Sequence, residues 1–232
     1  MSIDPVVTEV HSLLGESAGD SIDQITRDYL VGSTTTVQYE ILSTNLSNRM
    51  SVGSGQNLSV TALQKAVRTM RAANVKPLTF GGKSRYVLID HPNAVYDLMH
   101  DSNLQTAMLY GFGQTTTKDS VPSWEEGQVV PTLDVVGVRI YDSTNAKVYP
   151  TAGMSQADVY IGLLLGEGAY GVIGHDAGSV KTYFVGLEAS KSDPLGQRWY
   201  AGWKALHGQV ILNQSAIVRI EHAYSGQSGY IT

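Results

Sequence analysis

The chain has 232 residues, 42% hydrophobic and only 16% charged, with a net charge of −5 and no cysteine. That length allows one large domain or two small ones with a sizeable buried core, and the missing cysteines exclude disulfides, thiolate zinc sites and cysteine nucleophiles. The charge content, below the usual ~25%, leaves a neutral surface that repels its own copies weakly, and no basic run offers the phosphate-neutralising grip of a nucleic-acid binder.

A long helix opens the chain. Asp4 caps it, Pro5 suits its first position, and Val6, Val10, Leu13, Leu14, Ile22, Ile25 and Tyr29 recur at helical spacing up to a stop at Gly32. Unbroken through Gly15 and Gly19, it would be roughly 40 Å long. Residues 33–57 read as loop with one short strand over Val37 to Leu42. A second helix starts from Ser59, with Val60, Leu63, Val67 and Met70 on one face and Lys65, Arg68 and Arg71 turned to solvent. Arg85 to Ile89 is a buried strand, and Asp90 is expected to cap a third helix with Pro92 just inside it. Residues 111–128 form a polar loop of the kind that is usually mobile or functional.

Strands dominate from Val129 onward. The pattern predicts Val135 to Tyr141, with a turn or bulge at Gly137, a loop over Asp142 to Gln156, then Val159 to Leu165, Tyr170 to Ile173, Val180 to Leu187, Trp199 to Val210 and Ala216 to Ala223. Helices early and strands late make the class α+β. The N-terminal Met1-Ser2-Ile3-Asp4-Pro5 lacks the basic-then-apolar pattern of a signal peptide, and no apolar stretch approaches the ~20 residues of a membrane span.

No motif carries strong chemistry. Gly166-Glu167-Gly168-Ala169-Tyr170-Gly171 fits the dinucleotide fingerprint literally, but that mechanism needs a following helix whose amides hold the pyrophosphate. The segment after it, rich in glycine, reads instead as strand and turn, and Glu188 at ribose-acid distance adds little. Asp90-His91, His100-Asp101 and His175-Asp176 set a carboxylate beside an imidazole, yet adjacent helical residues do not face one another. The remaining histidines, His11, His207 and His222, show no metal-ligand spacing. Glu125, Glu126 and Glu167 form no glycosidase pair, and no serine sits in a nucleophile elbow. Catalytic, cofactor-binding and metal residues are therefore expected to be none, and no cofactor is implied. Trp199 and Trp203 share one strand face, with Tyr200 on the other. Core packing and a subunit contact are equally good readings of that cluster.

The order of short motifs is informative where each alone is weak. Asp4-Pro5-Val6-Val7 leads to Leu13-Leu14-Gly15-Glu16 and Ile22-Asp23. Leu58-Ser59, Ala66-Val67-Arg68, Asp90-His91-Pro92 and Tyr96-Asp97-Leu98 follow. Gly137-Val138-Arg139, Val159-Tyr160 and Gly168-Ala169-Tyr170-Gly171 come next. Asp193-Pro194-Leu195-Gly196-Gln197, Gly202-Trp203-Lys204 and Ile217-Val218-Arg219-Ile220-Glu221 close the run. In this order they resemble the major capsid proteins of tailed phages, the family typified by phage N4. The resemblance implies the HK97-like capsid fold: a spine helix and peripheral sheet over residues 1–58 and 199–232, and an axial domain over 59–198.

The function implied is a structural, non-enzymatic subunit of an icosahedral virion capsid, assembled in the bacterial host cytoplasm. Its partners would be copies of itself in pentamers and hexamers, with scaffold and decoration proteins. It would enclose DNA without sequence-specific binding and would touch no membrane. An encapsulin-like compartment shell is the nearest rival, and a nucleotide-binding enzyme using Gly166 to Gly171 a distant one. Asp193, Pro194, Leu195, Gly196, Gln197, Trp199 and Trp203 are the candidate structural or assembly residues: the first five form a turn, in which proline fixes φ, feeding the strand that carries both tryptophans. Relatives in that family begin with a further N-terminal arm and an extended loop before their equivalent of Asp4-Pro5. Neither is present in these 232 residues, so the chain alone is expected to be monomeric or to form small capsomer-like oligomers.

Overall fold

A computed structural model describes residues 4–40, 48–80, 83–105, 132–135, 137–173, 180–186, 195 and 199–227. The predicted loop at 111–128 lies outside them. The chain forms two compact units, one of Met1–Tyr29 with Tyr170–Val210 and a larger one of Leu30–Ala169 with Ile211–Thr232.

The larger unit is built on a mixed sheet. Its strands are β1 (Val37–Tyr39), β2 (Leu78–Phe80), β3 (Lys83–Asp90), β4 (Thr132–Val135), β5 (Val138–Asp142), β6 (Val148–Tyr149), β7 (Val159–Leu165) and, last in sequence, β12 (Ile217–His222). They run in the order β1-β12-β7-β3-β5-β4, with β2 on β3 and β6 on β7. β12 is parallel to β1 and antiparallel to β7, which is antiparallel to β3 in turn. Every residue of β7 is buried, which explains its unbroken apolar run: a strand covered on both faces has no reason to alternate. The predicted strand around Gly137 is two strands. β4 and β5 pair as an antiparallel hairpin, and Gly137 at φ +77° lies in the turn between them.

Helix α2 (Val60–Ala72) matches its expectation residue by residue. Ser59 Oγ accepts from the Ala62 amide at 3.2 Å, and Asp101 Oδ2 accepts from the Val60 amide at 2.8 Å. Two of the orphan donors at its start are thus satisfied. Val60, Leu63, Ala66, Val67 and Met70 are buried, and the helix packs on β12. It ends in a Schellman motif: Asn74 takes φ +60°, and the Val75 and Asn74 amides return to the Met70 and Arg71 carbonyls.

Helix α3 (Pro92–Met99) begins as expected, but its cap is different. His91 is the N-cap, its Nδ1 accepting from the Asn93 amide at 3.2 Å. Asp90 is the last residue of β3, and one of its oxygens is engaged by a residue far along the chain, described below.

The loop before β7 folds tightly around Gly153. Thr151, Ser155 and Gln156 all take positive φ, a conformation costly for residues with a Cβ. The Gly153 amide donates to Ala157 O at 2.8 Å and the Met154 amide to Val52 O at 2.7 Å. A Cβ at Gly153 would overlap the Val52 carbonyl oxygen and press on that of Ala157. Backbone cannot move aside as a side chain can, so Gly153→Ala is expected to destabilise the protein by about 1–3 kcal/mol. A lowered urea midpoint would register it.

In the smaller unit, α1 (Asp4–Ser33) runs unbroken through both glycines, its last turn belonging to the larger unit. β8 (Tyr170–Ile173) pairs with β11 (Gly208–Ile211), and β9 (Lys181–Val185) is antiparallel to β10 (Tyr200–Lys204). The single strand predicted over Trp199 to Val210 is therefore two, because the chain leaves one ladder and joins another. Between them His207 Nε2 bonds Thr26 Oγ1 on α1 at 2.9 Å.

The compact units do not follow the expected boundaries at 58 and 198. β12 lies between β1 and β7, so residues from Ile211 onward join the larger unit, as does the chain from Leu30 to Leu58.

Candidate functional site

The sequence-derived assembly residues lie in the smaller unit. Asp193, Pro194, Gly196 and Gln197 fall outside the described residues, and Leu195 is 78% exposed. The β9–β10 register puts Gly202 opposite Tyr183 and Trp203 opposite Thr182. One face of the hairpin carries Phe184, Trp203 and, just before β10, Trp199. The Phe184 ring lies 5.0 Å from that of Trp199 and 5.9 Å from His11 on α1. Trp203 and Phe184 are half-buried, as packed residues should be. The other face carries Tyr183, Val185 and Tyr200, all exposed. Three large side chains thus stand in water on one face of this strand pair.

Gly166 to Gly171 is a turn between β7 and β8. Gly168 takes φ +67°, and β8 starts at Tyr170. An extended strand stands where the pyrophosphate-binding helix would have to begin, so the dinucleotide mechanism has no structural basis there. Gly166 serves packing, since a Cβ on it would meet Val75 Cγ1 at 2.5 Å.

His100 and its neighbour Asp101 bond elsewhere. His100 Nδ1 lies 2.9 Å from Tyr96 O, while Asp101 accepts from the amides of Val60 and Asn103. His175, Asp176, Glu125, Glu126 and Glu188 lie outside the described residues, and Glu167 is exposed. Among the described residues no cluster could hold a metal ion, and no helix is long and apolar enough to cross a membrane.

What the chain does assemble is a buried charged network, where the ends of β3 and β12 meet the beginning of β7. Asp90 and His222 are both 0% exposed, with Nε2 and Oδ2 3.0 Å apart. They come from the two strands flanking β7. The carboxylate lies over Gly162 of β7, where a Cβ would come within 2.5 Å of Oδ2. The other carboxylate oxygen, Oδ1, accepts from the His91 amide at 2.7 Å. His222 Nδ1 lies 2.9 Å from Ala223 O. A carbonyl and a carboxylate only accept, so both ring nitrogens are assigned protons and the ring is an imidazolium. Burial opposes that charge. The Asp90 carboxylate, the bond to it, the Ala223 carbonyl and the charge of Asp97 outweigh burial, and His222 titrates above its ordinary value.

Two further groups of polar contacts flank the pair. Arg49 grips Glu221 with Nε to Oε2 at 2.7 Å and Nη2 to Oε1 at 2.8 Å, and Arg219 Nε lies 3.0 Å from Oε1. The Arg49 guanidinium sits 3.8 Å over the Tyr149 ring, a favourable cation–π contact. Its pKa is raised, chiefly by the hydrogen bond to Glu221. On α3, Asp97 accepts from Ser225 through the amide at 2.9 Å and the hydroxyl at 2.5 Å.

None of these pairings was legible locally, since Asp90 and His222 stand 132 positions apart. One signal was available. The apolar run from Ile217 carries Arg219, Glu221 and His222, and charges in a strand buried on both faces must be paired. Sealed from solvent, the Asp90–His222 pair offers a substrate no approach; what it does is fasten strands.

His91 responds to pH in the opposite sense. Burial lowers its pKa, Asp90 partly opposes this, and the His222 charge adds to it. From the ordinary value of 6.5, the stabilisation from His222 is complete below that pH and lost as pH rises through its raised folded value. The stabilisation from His91 is present above 6.5 and lost as pH falls through its lowered folded value. Urea midpoints measured against pH should therefore fall on both sides. His91→Asn, which keeps a capping oxygen, should flatten only the acid side.

No protein-family model and no curated protein matches the sequence. Solved structures do match its fold. The cyanophage P-SCSP1u capsid chain aligns with a TM-score of 0.60 and 17% identity, covering 97% of this chain and 70% of its own. The cyanophage Pam1 capsid chain aligns at 0.57 and 16%, covering 82% of this chain, which spans only 55% of that one. A chain of the holo-SrpI encapsulin complex from Synechococcus elongatus PCC 7942 aligns at 0.55 and 10%, with 95% and 67% covered. The α+β fold is thus that of phage capsid proteins, the HK97-like architecture implied by the order of motifs.

Proposed function

We propose that the chain is a structural subunit of an icosahedral phage capsid, associating with its own copies into pentamers and hexamers that enclose DNA. The observation that carries this reading is the shared fold with a capsid chain over 97% of the sequence. On this reading the larger unit is the axial domain. The first 29 residues and β8–β11 form the peripheral domain, with α1 as its spine helix. The weakly charged surface and the exposed face of Tyr183, Val185 and Tyr200 support self-association. Asp193 to Gln197, which precede Trp199 and Trp203 in the sequence, are with those two tryptophans the assembly residues of this reading. Scaffold and decoration proteins are the further partners, the virion is the location, and assembly takes place in the host cytoplasm. A compartment shell is the second reading, supported by the encapsulin likeness.

Light scattering and negative-stain microscopy of the purified chain test the proposal. Concentration-dependent oligomers with five- or six-fold rings are expected, and Tyr200→Asp should weaken them while leaving the urea midpoint unchanged. Oligomers of another symmetry, such as a closed dimer, would count against the proposal. Particles that shield DNA from nuclease favour the capsid, whereas particles holding only protein favour the compartment.

A further inference from the structure

Three attachments hold the chain where it leaves β12. His222 reaches Asp90 at the end of β3. The Ala223 amide donates to Gln56 O at 2.9 Å. Ser225 donates twice to Asp97 on α3. Only the first depends on a proton that can leave near neutral pH.

The groups facing His222 are few. β3 presents Asp90, and His91 follows it at the entry to α3. α3 presents Asp97. β7 presents Tyr160, whose ring stacks on that of His222 at 6.2 Å and also meets His91 and Tyr224. On β12 itself Glu221 points to the opposite face, where Arg49 and Arg219 hold it. No second cation faces Asp90 among the described residues.

We propose that the Asp90–His222 pair is a proton-operated latch, closed while the imidazolium bridges Asp90 and the Ala223 carbonyl, and released on loss of a proton to free residues 222–227 and the start of α3. Deprotonation removes one N–H and leaves a nitrogen lone pair facing an oxygen at 2.9 or 3.0 Å. Two acceptors then oppose each other in a site with no water access, and Asp90 becomes a buried charge without a counter-ion. Local opening relieves both, because water solvates the carboxylate and the ring alike. The sheet beyond this end keeps its ladders, so the opening is confined. The raised pKa of His222 sets the release on the alkaline side of its ordinary range.

Amide hydrogen exchange on the full chain, followed by NMR from about pH 6 to about pH 9 and corrected for intrinsic rates, tests the latch. The opening constants at Ala223 and Ser225 should rise by up to tenfold per pH unit between 6.5 and the folded pKa of His222. The Gly166 amide, bonded to Ala216 O at the far end of β7, should stay flat. His222→Gln keeps a donor for Asp90 without a titrating proton and should abolish the pH dependence. Should that variant fail to fold, the ring nitrogen shifts of His222 in the unmodified chain decide the matter, being those of an imidazolium at about pH 6 if the latch is right. Neutral-imidazole shifts there would overturn the proposal. So would opening at Ala223 and Ser225 that is independent of pH or that rises in step with Gly166.

Discussion

Replacing His222 with alanine is expected to cost about 3–5 kcal/mol, because it leaves the Asp90 carboxylate buried without its counter-ion. Asp90 has no exposure through which water could compensate. The alanine also opens a cavity beside the Tyr160 ring, which stacks on that of His222. The size of the effect is a consequence of the breakage, not the worth of the pair. Asp90→Asn/His222→Gln, which replaces the ion pair by two neutral amides, should therefore recover much of the loss. Urea unfolding of the single and double variants measures both. A double variant no more stable than His222→Ala would mean that geometry rather than charge holds the site.

Glu221→Ala is expected to cost about 3 kcal/mol, at the lower end of the same range. Glu221 is 0% exposed and serves two cations, so its loss strands both guanidinium groups at once. Arg49 is 29% exposed at its side chain and can turn to solvent, which limits the penalty. Arg219 cannot relax so easily, since it also donates to the Val31 carbonyl. Arg49→Lys should cost less than Glu221→Ala but more than an exposed substitution, because lysine cannot reproduce the two-pronged grip or lie flat on Tyr149. Thermal melts of the three proteins set the order.

The sequence made some parts of this molecule legible and hid others for a physical reason. α2 could be read from its cap to its last buried residue, because helix signals are local: Ser59, the spacing of Val60, Leu63, Val67 and Met70, and the charges between them. β7 could be read because a doubly covered strand is uninterrupted in its apolarity. Asp90 was assigned to the wrong task because aspartate before proline resembles a helix cap, and only a histidine on β12 reveals that one of its oxygens is taken. The break between β10 and β11 was invisible for the same kind of reason, since it depends on which ladder each half joins. Recognition of the capsid fold rested on the order of many weak motifs. Asp90-His91-Pro92 and Ile217 to Glu221 stand among those motifs, but the pairing of Asp90 with His222 did not enter into it. The compact units depart from the boundaries at 58 and 198 because no local signal says that the closing strand inserts into a sheet begun far earlier.

That insertion has a consequence for how the protein is made. β12 fills the gap between β1 and β7, so a ribosome must deliver nearly the whole described chain before the larger sheet can close. Until then β1 has no neighbour among the described residues, and the apolar β7 presents an open edge able to pair with any passing strand. Closure waits on contacts of large sequence separation, the slow kind. In a cell producing many copies at once, this interval between synthesis and closure is when aggregation competes most strongly with folding.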